Sequence, residues 1–260
     1  MSSYSDSAAP GKAVTMGSPW CWLALGWRDL VRNPWPGLLH GVLVAAFGGL
    51  LLAVAHDQFW GLAGAFSGFL IVAPVLATGL YQVSRLAARG QRVSSREVWR
   101  LWCSGDRRLV GFGLLLGLAG TGWVLTSAAL ITLWAPADVS KPADFLLHVV
   151  LAPSPGLFEV WLLLGALLAA PMFASSVITL PMLVDTQAPL WVAVGESWRA
   201  VGSHPGVMAL WALLIVGLVG LGLCTLMLGL VVVVPWLGHA SWHAYVHLKA
   251  TGTISTDGWA

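Results

Sequence analysis

His239, His243 and His247 recur at every fourth residue near the end of the chain, so a helix carries all three on one face. Two imidazoles at that spacing can bind one metal ion, and the same side chains can ligate a haem. All three cannot share an ion, because His239 and His247 would lie about 12 Å apart along the axis. A site needs a pair plus a ligand from elsewhere. His40 falls at the same depth in its own apolar run, which gives His239, His243 and His40 as the candidate set, with Cys21 or Cys103 as further donors. The competing reading is structural: Trp236, Trp242 and Tyr245 stand among these histidines, and that mixture is typical of an aromatic belt at a membrane boundary.

A second candidate is basic. Arg85, Arg89, Arg92, Arg96, Arg100, Arg107 and Arg108 crowd into one connecting segment, more than orientation in a membrane requires. Each would attract anionic lipid by about 1 kcal/mol near a bilayer surface. Arg89, Arg92, Arg96 and Arg100 are therefore the lipid- or partner-facing candidates. On the other side of the chain, His56 and His148 stand among Asp57, Asp138, Asp144 and Glu159, where a divalent cation could be held. No nucleophile is paired with a base and no Gly-rich phosphate loop is present, so no catalytic residue is assigned and no enzyme is expected.

The elements that must position these residues are membrane helices. The 260 residues are 58% hydrophobic and 9% charged, with 16 Trp. Apolar runs over Gly37–Ala55, Gly61–Val83, Leu109–Trp134, Leu157–Val184, Gly206–Gly222 and Cys224–Leu248 are long enough to span a bilayer. The last two are separated because 206–234 as one helix would extend about 43 Å, against a hydrocarbon core of roughly 30 Å. Gly217, Gly220 and Gly222 offer the place to turn. Of the 13 Lys and Arg, only Lys141 lies on the second side of this arrangement. The positive-inside rule then puts both termini in the cytoplasm.

The basic-side segments are themselves patterned. Trp20, Leu23, Trp27 and Leu30 follow Ser18-Pro19 at helical spacing and predict an amphipathic helix lying in the interface with its Trp face in lipid. A second opens at Ser94 with Glu97 completing a capping box, and a third carries Trp191, Val194, Trp198 and Val201. The first and third align without gaps at an offset of 171, Trp20 onto Trp191 and Pro34 onto Pro205. Each interfacial helix is followed by a hairpin whose second span carries Pro-x-Leu: Pro74-Val-Leu76, Pro181-Met-Leu183 and Pro235-Trp-Leu237. The expected fold is all-α and integral to the membrane: six spans as three hairpins, in repeats 18–86, 94–185 and 190–249. Residues 1–17 and 250–260 are expected to be disordered tails.

The segments LGWRDLVRNPWPGLLHG, APVLATGLYQVSRLAARG and PWLGHASWHAY, in that order, resemble a bacterial inner-membrane family known as domain of unknown function 2189. The resemblance extends over roughly Trp20 to Lys249. It implies a multi-span inner-membrane protein and brings no activity or site residue with it.

Charge sets the functional expectations. No Asp, Glu, Lys or Arg falls in the middle third of a span, which disfavours a carboxylate-coupled pump. The leading expectation is an accessory or assembly protein acting at the cytoplasmic face, with the lipid bilayer, anionic lipids, a membrane-protein partner or a second copy as partners, and no nucleic acid. The alternatives are a channel or uniporter for a small uncharged solute, and metal or haem handling by the histidines; outside that last reading no cofactor is expected.

Overall fold

The computed structural model describes residues 13–55, 59–91, 95–152 and 156–259, and the described residues contain no strand. Long helices alternate with short ones: α1 Ser18–Arg32, α2 Pro34–Ala55, α3 Phe59–Ala88, α4 Ser95–Trp102, α5 Arg107–Trp134, α6 Pro142–Phe145, α7 Leu157–Ser176, α8 Thr179–Asp185, α9 Leu190–Ser203, α10 Pro205–Cys224 and α11 Leu230–Ala250. One π-helical turn, Leu146–Val150, continues α6. Among the described residues four helical stretches are long and apolar enough to cross a membrane: Pro34–Leu51, Arg107–Trp134, Leu157–Asp185 and Pro205–Cys224. Their outward faces are Leu- and Val-rich, as in Leu114, Leu118, Leu163 and Leu213, all exposed. In lipid, only a helix satisfies every backbone group along such a run.

The short helices at the basic end do not lie free. Packing of α1 is on α11, of α4 on α3, and of α9 on α7 and α8, so each rests on the helix that ends the preceding hairpin, with α1 returning to the last. Small residues permit the approach. A Cβ at Gly26 of α1 would lie 2.5 Å from the Ala240 backbone nitrogen of α11. On α9, Ala193, Ser197 and Ala200 are buried at the positions that Trp22, Gly26 and Asp29 occupy on α1 at the 171-residue offset. The residues after the two helices also share a conformation, Asn33 at φ −131°, ψ 64° and His204 at φ −134°, ψ 58°, each followed by a Pro that opens the next helix. The faces divide accordingly: Trp20, Trp27, Trp191 and Trp198 point outward, whereas Leu23 and Leu30, expected on the lipid side with the Trp residues, are buried inward. The packed face runs through Trp22, Gly26 and Asp29 because α11 covers it.

Three further expectations shift. The run Leu157–Val184 is two helices, broken at Val177–Ile178. Pro181 has no N–H for the Val177 carbonyl, four residues earlier, and its ring crowds that position; Ser197 Oγ of α9 accepts the Ile178 N–H at 3.1 Å. The segment after Gly206 is two helices as expected, but the turn falls at 225–229 rather than beside Gly222. Leu226 and Met227 take positive φ there, and Thr225 Oγ1 accepts the Gly229 N–H at 2.7 Å. The C-terminal tail is docked: Gln187 N–H donates to the Trp259 carbonyl, Ser255 N–H donates to Glu196, and Ile254 is buried. Ser94 with its capping box lies outside the described residues.

Packing is densest at the basic end. There α3, α8 and α11 meet, and Leu80, Val83, Met182, Leu183, Tyr245 and Leu248 close the junction with buried side chains. At the opposite end a smaller cluster of Ile131, Val139, Val149 and Leu157 folds the α5–α7 connection over its own hairpin, with Trp161 donating to Ser127 Oγ at 2.7 Å.

Gly26→Ala should destabilise the protein by about 1–3 kcal/mol, because the added methyl meets backbone rather than a yielding side chain. Gly195→Ala, with open space around it on α9, should instead gain about 0.5–1 kcal/mol of helix stability. Thermal unfolding in mild detergent, followed by Trp emission, separates the two; shifts of the same sign would remove the Gly26 contact as the reason α1 docks.

Candidate functional site

The three histidines of α11 do share one face, and each takes a different partner. His239 Nδ1 lies 2.8 Å from Ser84 Oγ of α3, His243 Nε2 is 2.9 Å from Asp29 Oδ2 of α1, and Trp22 Nε1 of α1 donates to His247 Nδ1 at 3.1 Å. Ser84 Oγ in turn donates to Asp29 Oδ2 at 2.8 Å. Asp29 is 1% exposed, and Ser84 and His239 are fully buried. The result is a connected chain from His243 through Asp29 and Ser84 to His239, joining α1, α3 and α11.

Proton positions follow from these contacts. The single Ser84 proton is directed at the carboxylate, so His239 Nδ1 carries the hydrogen that reaches Ser84 Oγ. The His239 Nε2 of a neutral ring is then a bare lone pair, and it has no hydrogen-bond partner among the described residues. His40 behaves alike. Its Nδ1 faces the Pro36 carbonyl, which can only accept, and its buried Nε2 has no partner among the described residues. The Gly37 Cα stands before the His239 Nε2 and Gly79 before the His40 Nε2, where side chains would close the space. Trp102 of α4 packs edge-on against His40, with ring centroids 5.0 Å apart.

The arrangement can hold a buried negative charge and pass a proton along Asp29, Ser84 and His239. Ser, His and Asp come together here, yet the hydroxyl proton points to the carboxylate and not to an imidazole, unlike a nucleophile activated by a general base. Among the described residues no group of three or more His, Cys, Asp and Glu side chains is placed to hold a metal ion. His239 and His243 are tied to Ser84 and Asp29, while His40 faces α3 and α4. Burial by itself would push the Asp29 carboxyl up; the hydrogen bond and charge of His243, with the Ser84 hydroxyl, outweigh it and hold the group below the ordinary carboxylate range.

A second polar centre lies where α3, α8 and α11 meet. Asp185, at the end of α8, accepts from Tyr245 Oη and Lys249 Nζ, both at 2.8 Å, with Arg85 Nε at 3.4 Å and Arg89 Nη2 at 3.8 Å. Arg108 clamps the chain after α8: it pairs with Asp106 at 2.7 Å and donates to the carbonyls of Thr186 and Ala188. Of the other basic candidates, Arg100 is 72% exposed and pairs with Glu97 at 3.7 Å; Arg92 and the Arg96 side chain lie outside the described residues. On the opposite side His56 and Asp57 are likewise outside them, and Asp144 caps α6 by accepting from Ser140 and Lys141.

Asp29, Ser84 and Asp185 were not singled out from sequence as a site. Trp22, Gly26 and Asp29 share one helical face, and that acid on a face beginning with Trp and Gly was the available signal. Because Asp29 has a lowered carboxyl pKa, its contribution to stability is present above about pH 4, the ordinary carboxylate value, and is lost as the pH falls through its folded-state value. Asp29→Asn should cost about 1–3 kcal/mol at neutral pH by disrupting the buried bonds. It should also flatten the acid limb of melting temperature against pH between about 5 and 2 relative to the parent. Parallel acid limbs would assign that sensitivity to other carboxylates.

Residues 62–185 match the model of a family described as predicted integral membrane protein (DUF2189). No curated protein and no solved structure is significantly similar to the chain. The match takes in the second of the three segments on which the resemblance rests; the first and third lie outside it, yet α1, α2 and α11 bring Asp29, His40, His239 and His243 from those two segments to Ser84 and Gly79 of the second. Over residues 62–185, a little under half of its length, the chain is similar to the DUF2189 family of predicted integral membrane proteins.

Proposed function

We propose that this is a six-span accessory or assembly protein of a bacterial inner membrane, with cytoplasmic termini, that engages anionic lipid and membrane partners through a collar of three Trp/Arg helices. The observation that carries the reading is the division of faces on α1 and α9. Trp22, Leu23, Gly26, Asp29 and Leu30 of α1 and Ala193, Ser197 and Ala200 of α9 are turned in against the bundle, and Trp20, Trp27, Trp191 and Trp198 are turned out where a headgroup layer would lie. Helix α4 adds Trp99, also exposed, beside Arg100. Three interfacial helices docked in the same relation to three hairpin ends support the reading of 18–86, 94–185 and 190–249 as parallel repeats. In that arrangement α3 and α11 serve as the second and sixth spans beside the four apolar ones.

The packed junction of α3, α8 and α11 favours this reading over a solute path, since Met182, Tyr245 and Leu248 fill the centre at the basic end. A collar of this kind holds the protein at a fixed depth and recruits anionic headgroups around it, which suits a scaffold more than a carrier.

Full-length protein reconstituted in nanodiscs should melt several degrees higher in phosphatidylglycerol than in phosphatidylcholine. Replacing Arg92, Arg96 and Arg100 by Gln should remove about half of that gain or more, from about 1 kcal/mol for each surface charge. An undiminished gain, with orientation verified by accessibility of terminal tags, would sink the collar reading.

A further inference from the structure

We infer that one phosphate-bearing anion binds at the junction of α3, α8 and α11, held by Arg85, Arg89 and Lys249 around Asp185. This rests on the basic face being lipid-engaging, and it names the headgroup position within that face.

Charge balance leads to the site. Arg85, Arg89 and Lys249 bring three positive charges to one carboxylate. Among the described residues the neighbouring acids are engaged elsewhere: Asp106 with Arg108, Glu97 with Arg100, and Glu196 with Arg199. The surplus is therefore not cancelled locally.

Geometry points the same way. Asp185 Oδ2 is occupied by two bonds of 2.8 Å, from Tyr245 and Lys249. On the Oδ1 side the two guanidinium approaches, 3.4 and 3.8 Å, are longer than charge-assisted hydrogen bonds of about 2.7–2.9 Å. Arg85 Nη1 is committed to the Val184 carbonyl at 2.9 Å, while its buried Nε has no hydrogen-bond acceptor among the described residues. Arg85 Nε, the half-exposed Arg89 guanidinium and the Lys249 side chain, 40% exposed, form a donor set for a tetrahedral oxyanion. Depth selects the source. Arg85 stands two residues after Val83 and Lys249 directly after Leu248, both buried at the end of apolar packing, which is the level a phospholipid headgroup would take.

Native mass spectrometry of the full chain, released from detergent with phosphatidylglycerol or phosphatidylcholine, tests this directly. One phosphatidylglycerol per chain should be retained in preference to phosphatidylcholine. Arg89→Gln and Lys249→Gln should each weaken that retention about five-fold, the equivalent of about 1 kcal/mol per charge, whereas Arg199→Gln should not. Asp185→Asn gives the discriminating sign: removing the competing carboxylate should tighten retention, while a purely structural network would loosen it. If Asp185→Asn does not fold, Arg89→Gln decides the matter, because Arg89 is half-exposed and its loss leaves the Tyr245 and Lys249 bonds intact. Parent-like retention in Arg89→Gln and Lys249→Gln overturns the site, even where the Arg92, Arg96 and Arg100 variant loses its gain in nanodiscs. A melting shift with millimolar inorganic phosphate, lost in Arg89→Gln and unaccompanied by lipid retention, would keep the phosphate chemistry and assign the anion to the soluble phase.

Discussion

A carboxylate removed from water must be given donors or surrender its charge, and at Asp29 the donors come from two other helices. Ser84 arrives on α3 and His243 on α11, so satisfying one side chain fixes three elements that are distant in sequence. Much of the basic end follows from that requirement. With α1 held against α11, Gly26 lies on Ala240, Trp22 reaches His247, and Trp20 and Trp27 are left facing outward. Asp185 applies the same rule a second time, tying α8 to α3 and α11. Lipid-facing helices attract one another only weakly through apolar packing, because the surrounding tails are as apolar as their side chains. The buried polar bonds at one end therefore supply the specificity.

How much of this was legible in the sequence depends on which physical signal a residue carried. Hydrophobic length is read directly, and the long helices fall where apolar runs stand. At the Trp20–Trp191 offset the C-terminal ends of α1 and α9 and the backbone angles of the residues after them coincide, while their starts differ by one residue. Periodicity gave the face of α1 wrongly for Leu23 and Leu30, because a helix sandwiched between lipid and protein is apolar on both sides and its pattern does not say which apolar stripe is covered. The break before α8 and the turn at 225–229 were missed for a related reason. A proline or glycine marks where a helix can bend, and the partner that accepts the freed backbone group, here Ser197 or Thr225, decides where it does.

The histidines show the limit most clearly. Their spacing located one face of α11 without revealing what lies opposite, and the opposing residues are Ser84, Asp29 and Trp22. None of these is near in sequence, and none belongs to a ligand motif. Family resemblance held part of the missing information, since its three quoted segments are those that converge on Asp29, Ser84 and His239. A string of short motifs far apart in a chain can thus mark residues that meet in the folded protein.

The closure of α1 on α11 has a consequence for biogenesis. Asp29 and His243 are 214 residues apart, so during synthesis the acid enters the boundary region long before its imidazole partner exists. Until the last helix inserts, Asp29 has its Ser84 donor but lacks its imidazole partner, and α1 has no surface on which to rest its glycine. Completion of the chain is then also the event that locks its beginning.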